Sequence, residues 1–253
     1  MFKMFDWPVV PLCEAQLQDV NPADILGNGL YRKCNTYKGG GGYDQFPSIY
    51  IKRFGEQSNL RLNDQFVVQV SGCPLHCPYC YVTDAGIRGK SVAKTTAELV
   101  DAFYRSGCSV FHLMGGAPAL YLNQWWRILR HLDREYVFHS DLLLLEGEYD
   151  EEVLRDIAQY PNSLYAVSIK GATAEEYLKN TATEIDMALL WRNLDRLVNA
   201  GIPFYVTFTG MSIESIERFR GEVVSRYGDD AILTDSFAIS LVHYKALDWT
   251  GSI

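Results

Sequence analysis

The chain has 253 residues, 48% of them hydrophobic, with a net charge of −8 and an isoelectric point near 5.1. This composition supports one sizeable α/β core, and the acidic balance argues against nonspecific nucleic-acid binding, which needs a basic surface. No apolar run approaches the roughly 20 residues of a membrane span, and no signal-peptide pattern begins the sequence. The six cysteines show no disulfide framework. We therefore expect a cytoplasmic protein without membrane contact.

The first 60 residues lack the alternation of strand and helix patterns that marks the rest of the chain. They contain scattered prolines and a glycine run at positions 39–42. This run is not a phosphate-binding loop, since no Gly-Lys-Ser/Thr follows it. We therefore predict an N-terminal extension at residues 1–60, either a linker or a lid on the substrate side, followed by a second unit at residues 61–253.

The second unit alternates strand-like and helix-like segments. Apolar, β-branched runs occur at residues 66–70, 109–114, 136–145, 164–169, 203–208 and 237–242. Helical patterns occur at 95–107, 122–134, 150–160, 174–180, 187–200 and 212–227. Such runs, joined by helices, predict a parallel sheet with right-handed crossovers. Since six units are too few for a full eight-stranded barrel, the fold class is α/β, a partial (β/α)6 barrel with a less regular N-terminal extension.

Capping signals support the helix boundaries. Thr95 with Glu98, and Ser212 at the start of the last helical pattern, are typical of helix N-termini. Gly107 and Gly201 stand where the preceding helices are expected to end.

Three cysteines, Cys73, Cys77 and Cys80, follow the first predicted strand with the spacing C-x3-C-x2-C. Thiolates are the usual ligands of iron–sulfur clusters, and one loop at this spacing supplies three of them to a [4Fe–4S] cluster. The fourth iron is then open, and an open position distinguishes a reactive metal site from a structural one. Because active groups lie at the carboxyl ends of strands in such barrels, the loop is predicted to be the reaction centre.

Structural zinc and inert thiols are the alternatives. Zinc needs four ligands, and the only extra candidate in the loop is His76, which is adjacent to Cys77. The isolated cysteines, Cys13, Cys34 and Cys108, are interpreted first as small buried hydrophobes. They are too scattered for a second cluster, although Cys13 or Cys34 remains open as a hydrogen-atom donor or substrate tether.

The cysteine loop resembles that of the radical S-adenosylmethionine (SAM) enzymes, and Tyr79 occupies the aromatic position between the last two cysteines. The resemblance implies that SAM chelates the open iron through its amino and carboxylate groups and that Tyr79 is one of the cofactor-binding residues. An electron from the reduced cluster then cleaves the sulfonium bond, and the resulting 5′-deoxyadenosyl radical abstracts hydrogen from a substrate.

A second motif, Gly115-Gly116-Ala117-Pro118, is similar to the Gly-Gly-Glu-Pro motif of that family. Glycines at a strand end let backbone carbonyls approach a ligand closely, and the resemblance implies contacts to the SAM ammonium. The sequence departs from the family at Ala117, so one charged contact to SAM is absent or is supplied by another carboxylate. A glycine-rich turn that simply ends a strand is the alternative interpretation.

Further along the chain, the sequence is most similar to the glycyl-radical-enzyme activating enzymes. His139-Ser140-Asp141 stands where that branch has Asp-Thr-Asn, and Ser168-Ile169-Lys170 where it has Asp-Leu-Lys. The resemblance implies SAM contacts from Ser140, Ser168, Lys170 and His243. For each, a solvated or packed side chain is the alternative. His112, which alternates within its strand, fits a satisfied core histidine.

The sequence therefore predicts a radical SAM enzyme with a [4Fe–4S] cluster that abstracts hydrogen from a small-molecule or peptide substrate. Activation of a glycyl-radical enzyme is the second hypothesis, because a shared fold does not fix function. A non-enzymatic iron–sulfur electron carrier or redox sensor, and a zinc-binding interaction module, are the others. Cleavage of SAM needs a strongly reducing cluster, so a low-potential flavodoxin or ferredoxin is the expected electron donor.

Overall fold

A computed structural model describes residues 6–10, 30–34, 54, 64–80, 82 and 84–228, with the backbone of the short strands at 237–238 and 243–244. Cys13 and the glycine run at 39–42 lie outside these residues. The strands are β1 (Asp6–Val9), β2 (Leu30–Cys34), β3 (Asp64–Gln69), β4 (Val92–Thr95), β5 (Val110–Met114), β6 (Val137–Leu142), β7 (Ser163–Ile169), β8 (Phe204–Thr209), β9 (Phe237–Ala238) and β10 (His243–Tyr244). The helices are α1 (Asp84–Arg88), α2 (Thr96–Ser106), α3 (Trp125–Leu129), α4 (Glu151–Ala158), α5 (Ala174–Thr181), α6 (Met187–Asn199) and α7 (Ile213–Tyr227).

The central sheet has five full parallel strands in the order β3-β5-β6-β7-β8. Helices separate most of these strands along the chain, as expected for right-handed β/α crossovers. The predicted α/β class and partial barrel are confirmed. The predicted sixth strand at 237–242 is described only as β9, which pairs in parallel with β8, as does β10.

The N-terminal strands pair with later ones. Strand β2 adds to the sheet antiparallel to β3, and β1 forms a small antiparallel sheet with β4. Neither strand was predicted from the sequence, because each is short and lies in a region without clear periodicity. The division of the chain at residue 60 stays a prediction.

The helix boundaries follow the predicted caps. Thr95 and Glu98 form a complete capping box at α2, and Gly107 ends this helix in the left-handed region, at φ 66°. Ser212 caps α7 by accepting a hydrogen bond from the Ser215 N–H. The predicted helix at 122–134 is instead a 3-10 segment, Pro118–Gln124, followed by the short α3.

The two faces of the sheet differ in chemistry. The face towards the helices carries large apolar side chains such as Phe66, Phe111, Phe138 and Tyr165, which belong to the main core. The interior face of the barrel has an apolar layer of Val110, Val137, Leu164, Ala166 and Tyr205. By strand alternation, polar side chains share this interior face: Gln65, Gln69, His112, His139 and Thr207 are buried, and Ser168 is partly buried. Among the described residues, no helix is both long and apolar enough to cross a membrane.

Candidate metal centre

The cysteine loop follows the carboxyl end of β3 and is fixed by backbone hydrogen bonds. The Gly72 N–H donates to the Ile87 carbonyl at 2.8 Å, and the His76 N–H donates to the Thr181 carbonyl at 3.1 Å. The Arg88 guanidinium donates to the Leu75 carbonyl at 2.7 Å. Helix α1 on one side and the end of α5 on the other therefore hold the loop in one shape.

All three thiols of the loop lie at the mouth of the barrel. Cys73 and Cys77 are partly buried, and Cys80 is exposed. Cys73 Sγ accepts a hydrogen bond from the Leu75 N–H at 3.5 Å, and the Cys80 N–H donates to the Cys77 carbonyl at 3.1 Å. Hydrogen bonds to sulfur are one of the means by which proteins tune iron–sulfur clusters.

The electrostatics of the loop favour binding of a cation. Burial raises the pKa of the Cys73 thiol to about 11, and the neighbouring Cys77 and Cys80 thiols act in the same direction. Although the Cys80 residue as a whole is exposed, desolvation around its sulfur also raises the pKa of its thiol. Crowded thiols of this kind lose their protons when a metal binds, because the metal neutralises the charge of the resulting thiolates. Three sulfur donors in one loop suit zinc or an iron–sulfur cluster, so the residues fit the predicted cluster.

No other cysteine in the described part of the chain stands near this loop. Cys108 is buried immediately before β5, at the amino end of the sheet. The backbone of Cys34 pairs with Asp64 at the start of β3, roughly 17 Å along the strand from its carboxyl end. Among the described residues, the loop therefore offers three thiolate ligands and no fourth.

The Gly-Gly-Ala-Pro segment packs directly against the cysteine loop. Gly115 and Gly116 have φ values of 69° and 56°, and a Cβ on Gly116 would lie 2.5 Å from the carbonyl oxygens of Val70 and Gly72. The Ala117 N–H donates to the Gly72 carbonyl at 2.7 Å. Close packing of the two loops thus requires glycine at 116. This steric requirement depends on tertiary contacts and was not predicted from the sequence.

Ala117 lies in an apolar cluster under the loop. It is fully buried with Leu75 and Leu143, and the side chains of Cys73 and Cys77 pack against this cluster. A glutamate here would bury a carboxylate among apolar groups, at considerable cost. The alanine therefore matches its surroundings.

Three predicted residues come together beside the loop. The Lys170 Nζ donates to Ser168 Oγ at 3.1 Å and lies 5.7 Å from the centroid of the Tyr79 ring. Burial raises the pKa of the Tyr79 phenol, and the charge of Cys77 raises it further. Lys170 is only 9% exposed, so its ammonium is held at the mouth instead of in bulk water.

Two other predicted residues are not part of this group. Ser140 is fully buried on the face that also carries Phe138 and Leu142, both in the helix-side core, so it points away from the interior. The structure describes only the backbone of His243, which pairs with Phe208. The roles of Ser140 and His243 stay predictions.

Two polar residues at the mouth were missed by the sequence analysis. Gln69, the last residue of β3, is 1% exposed, and neither its amide nitrogen nor its amide oxygen has a hydrogen-bond partner among the described residues. A polar residue in an otherwise apolar strand was the available signal. The Glu146 carboxylate accepts the N–H groups of Leu143 and Leu145, each at 2.9 Å, and burial raises its pKa.

The model of the Radical SAM superfamily matches residues 67–222. No curated protein matches the chain.

Several solved structures are similar. SuiB of Streptococcus suis bound to precursor peptide SuiA shares 12% identity at a TM-score of 0.50, covering 61% of this chain and 35% of that one. The protein anSMEcpe with bound AdoMet shares 16% identity at a TM-score of 0.47, covering 60% and 46%. The radical S-adenosylmethionine methyltransferase TsrM from Kitasatospora setae, with cobalamin and a [4Fe-4S] cluster bound, shares 17% identity at a TM-score of 0.45, covering 61% and 31%. The matched region spans less than half of each of these proteins, and the likeness to SuiB shows the fold alone.

Proposed function

Because the chain belongs to the radical SAM superfamily, whose members are enzymes, we propose that Cys73, Cys77 and Cys80 hold a [4Fe–4S] cluster whose open iron binds SAM. The enzyme abstracts hydrogen from a small-molecule or peptide substrate. The observation that carries this proposal is the three-thiol loop at the carboxyl end of β3, with no fourth cysteine nearby in the described residues. An incomplete thiolate set is the property that separates a reaction centre from an electron carrier.

When bound and reduced, the cluster supplies the electron that cleaves SAM and thereby generates the radical that attacks the substrate. The protein supplies binding, orientation and exclusion of water. Lys170, steadied by Ser168, presents a positive charge at the mouth for the SAM carboxylate. The Gln69 amide, which has no partner within the described part of the chain, offers both a donor and an acceptor to SAM or substrate. Gly115, Gly116 and Ala117 shape the wall beside the cysteine loop.

An electron donor is needed because the cluster has to reach a low potential. A flavodoxin or ferredoxin is the proposed partner, and it approaches from the side of Cys80, the exposed cysteine of the loop. Residues 1–60 are proposed to cover the mouth and limit quenching of the radical by solvent. The cytoplasm is the proposed compartment, since it keeps the thiols reduced.

The test is formation of 5′-deoxyadenosine from SAM by anaerobically reconstituted, dithionite-reduced protein. The negative control is a variant with Cys73, Cys77 and Cys80 changed to Ala. Cys108→Ala is the matched control, because it removes a cysteine that lies far from the loop. We expect product from wild type and Cys108→Ala and none from the triple variant. An intact cluster that yields no product, with candidate substrates and flavodoxin present, would favour an electron carrier or redox sensor.

Activation of a glycyl-radical enzyme is the second candidate function. The observation that favours it is Lys170 at the end of β7, where that branch of the family has its Asp-Leu-Lys motif. The distinguishing experiment mixes the reduced protein and SAM with a candidate glycyl-radical enzyme and records the electron paramagnetic resonance spectrum. A glycyl-radical doublet on the partner supports activation, and 5′-deoxyadenosine formed with a small molecule or peptide alone supports the first proposal.

A further inference from the structure

A cluster of two histidines and one aspartate lies inside the barrel, separate from the cysteine loop. His112 on β5 and His139 on β6 are opposite one another in the parallel pairing, and Asp141 follows on β6. One nitrogen from each ring and one carboxylate oxygen all lie within 4.8 Å of one another. His112 Nε2 is 3.8 Å from Asp141 Oδ1. The two rings meet edge to face, with centroids 4.2 Å apart.

The far nitrogen of each ring is held by a buried neighbour. His112 Nδ1 lies 2.8 Å from the Gln65 amide oxygen. Because an amide oxygen only accepts hydrogen bonds, Nδ1 carries the proton, and in the neutral ring Nε2 has the lone pair on the side where Asp141 lies. His139 Nε2 lies 3.0 Å from the Tyr205 hydroxyl, which is able to accept its proton and leave the lone pair on Nδ1.

This arrangement is the one that metal-binding histidines have in proteins. A ligating imidazole donates its other N–H to an oxygen, and this bond fixes both the tautomer and the ring orientation. Here Gln65 and Tyr205 occupy that second position for His112 and His139. A satisfied core histidine needs one such partner, but it does not need a second imidazole and a carboxylate within 4.8 Å of one of its ring nitrogens.

We propose that His112, His139 and Asp141 form a second metal site, which binds a divalent cation of the zinc class inside the barrel. Two imidazoles and one carboxylate are a donor set that suits zinc and ferrous iron. Ligands about 2.1 Å from a tetrahedral zinc ion lie about 3.4 Å apart, so small side-chain rotations bring the three atoms together. The Asp141 side chain is 34% exposed, which gives the ion an entry path.

The site is distinct from the cysteine loop in both position and chemistry. His112 stands two residues before Met114 at the end of β5, about 7 Å deeper along the strand. The donors are nitrogen and oxygen, whereas the loop offers sulfur. Three protein ligands leave one coordination position of a tetrahedral ion for water or a substrate group inside the barrel.

The test uses the full chain with Cys73, Cys77 and Cys80 changed to Ala, so that no loop thiolate competes for the ion. Co²⁺ is titrated anaerobically and followed by its visible ligand-field bands, and circular dichroism verifies the fold. We expect one equivalent of Co²⁺, displaced by Zn²⁺, with no thiolate charge-transfer band. Asp141→Asn keeps the shape of the side chain and should abolish tight binding. Gln65→Met, which removes the hydrogen-bond acceptor of His112 Nδ1, should weaken it about 10- to 100-fold.

The matched control is His131→Gln, because His131 is an exposed histidine after α3 and its loss should leave Co²⁺ binding unchanged. Absence of Co²⁺ and Zn²⁺ binding by the folded parent would overturn the proposal. So would binding that Asp141→Asn and Gln65→Met do not weaken. The result is independent of SAM cleavage, because the chain in this experiment has no cluster ligands. As a second measurement, the zinc content of the reconstituted wild-type protein is determined separately from its iron content and is expected to be one ion per chain.

Discussion

Gly116→Ala tests whether the cysteine loop depends on close contact with the Gly-Gly-Ala-Pro segment. The new Cβ would lie 2.5 Å from the carbonyl oxygens of Val70 and Gly72, well inside the ordinary contact distance between carbon and oxygen. Both obstacles are backbone atoms, so no flexible side chain is able to move aside. The strain therefore has to displace the start of the cysteine loop.

The cost is worked out from three contributions. The left-handed backbone costs an alanine about 1–2 kcal/mol, offset by about 0.4–1 kcal/mol from the less flexible unfolded chain. Overpacking adds about 1–3 kcal/mol. Loss of the hydrogen bond from Ala117 to Gly72 adds about 1 kcal/mol. We expect Gly116→Ala to lower the free energy of unfolding by about 2–6 kcal/mol on these principles.

The matched control is Gly201→Ala. Gly201 has φ 67°, close to the value at Gly116, but nothing lies within 4 Å of its added Cβ. Its expected cost is the backbone contribution alone, about 1 kcal/mol. Urea unfolding followed by circular dichroism measures both variants, and iron and sulfide content after reconstitution reports the loop. If Gly116→Ala costs no more than Gly201→Ala and binds the cluster normally, the packing argument is wrong.

Two further predictions concern the carboxyl end of the sheet. Burial favours the neutral form of Glu176. Hydrogen bonds, chiefly the one from Ser215, and the charge of Arg218 outweigh this effect and lower the pKa of the Glu176 carboxyl. Glu176→Gln should therefore destabilise the protein by about 1–2 kcal/mol at neutral pH. This difference should begin to shrink as the pH falls below the ordinary glutamate pKa of about 4.3, and it should vanish only below the lowered pKa of the folded protein. A gap in urea stability that keeps its neutral-pH size in acid would contradict the prediction. Lys170→Ala should weaken SAM binding by about tenfold, because one charged hydrogen bond is lost, whereas the control Lys179→Ala, at an exposed lysine, should bind SAM normally. Equilibrium dialysis on reconstituted protein measures both affinities. Equal affinities would show that Lys170 does not contact SAM.

Much of the architecture was predictable because its determinants are local. The capping box of Thr95 and Glu98 and the left-handed Gly107 delimit α2 as expected, and the apolar strand runs specify the parallel sheet. Strand β6 was predicted to extend to residue 145 but ends at Leu142. The N–H groups of Leu143 and Leu145 donate to the Glu146 carboxylate and therefore do not extend the hydrogen bonding of the sheet. Sequence periodicity does not reveal such a side-chain contact.

The candidate site was predictable where it depends on covalent spacing and was missed where it depends on packing. The loop of Cys73, Cys77 and Cys80 needs only its spacing to indicate a cluster, and membership of the radical SAM superfamily is confirmed. Gln69 and Glu146 become visible only in three dimensions, because their significance lies in burial and hydrogen bonding. The closer likeness to glycyl-radical-enzyme activating enzymes stays a prediction.

The central claim is that three thiolates leave one iron of the cluster open for SAM. The most direct measurement is electron paramagnetic resonance of the reduced, reconstituted protein with and without SAM labelled with ¹⁵N at its amino group. We predict that SAM changes the cluster signal and that the label produces a hyperfine coupling, since the amino nitrogen binds iron. A signal that SAM leaves unchanged, from a protein with full iron and sulfide content, would show a capped cluster and contradict the account.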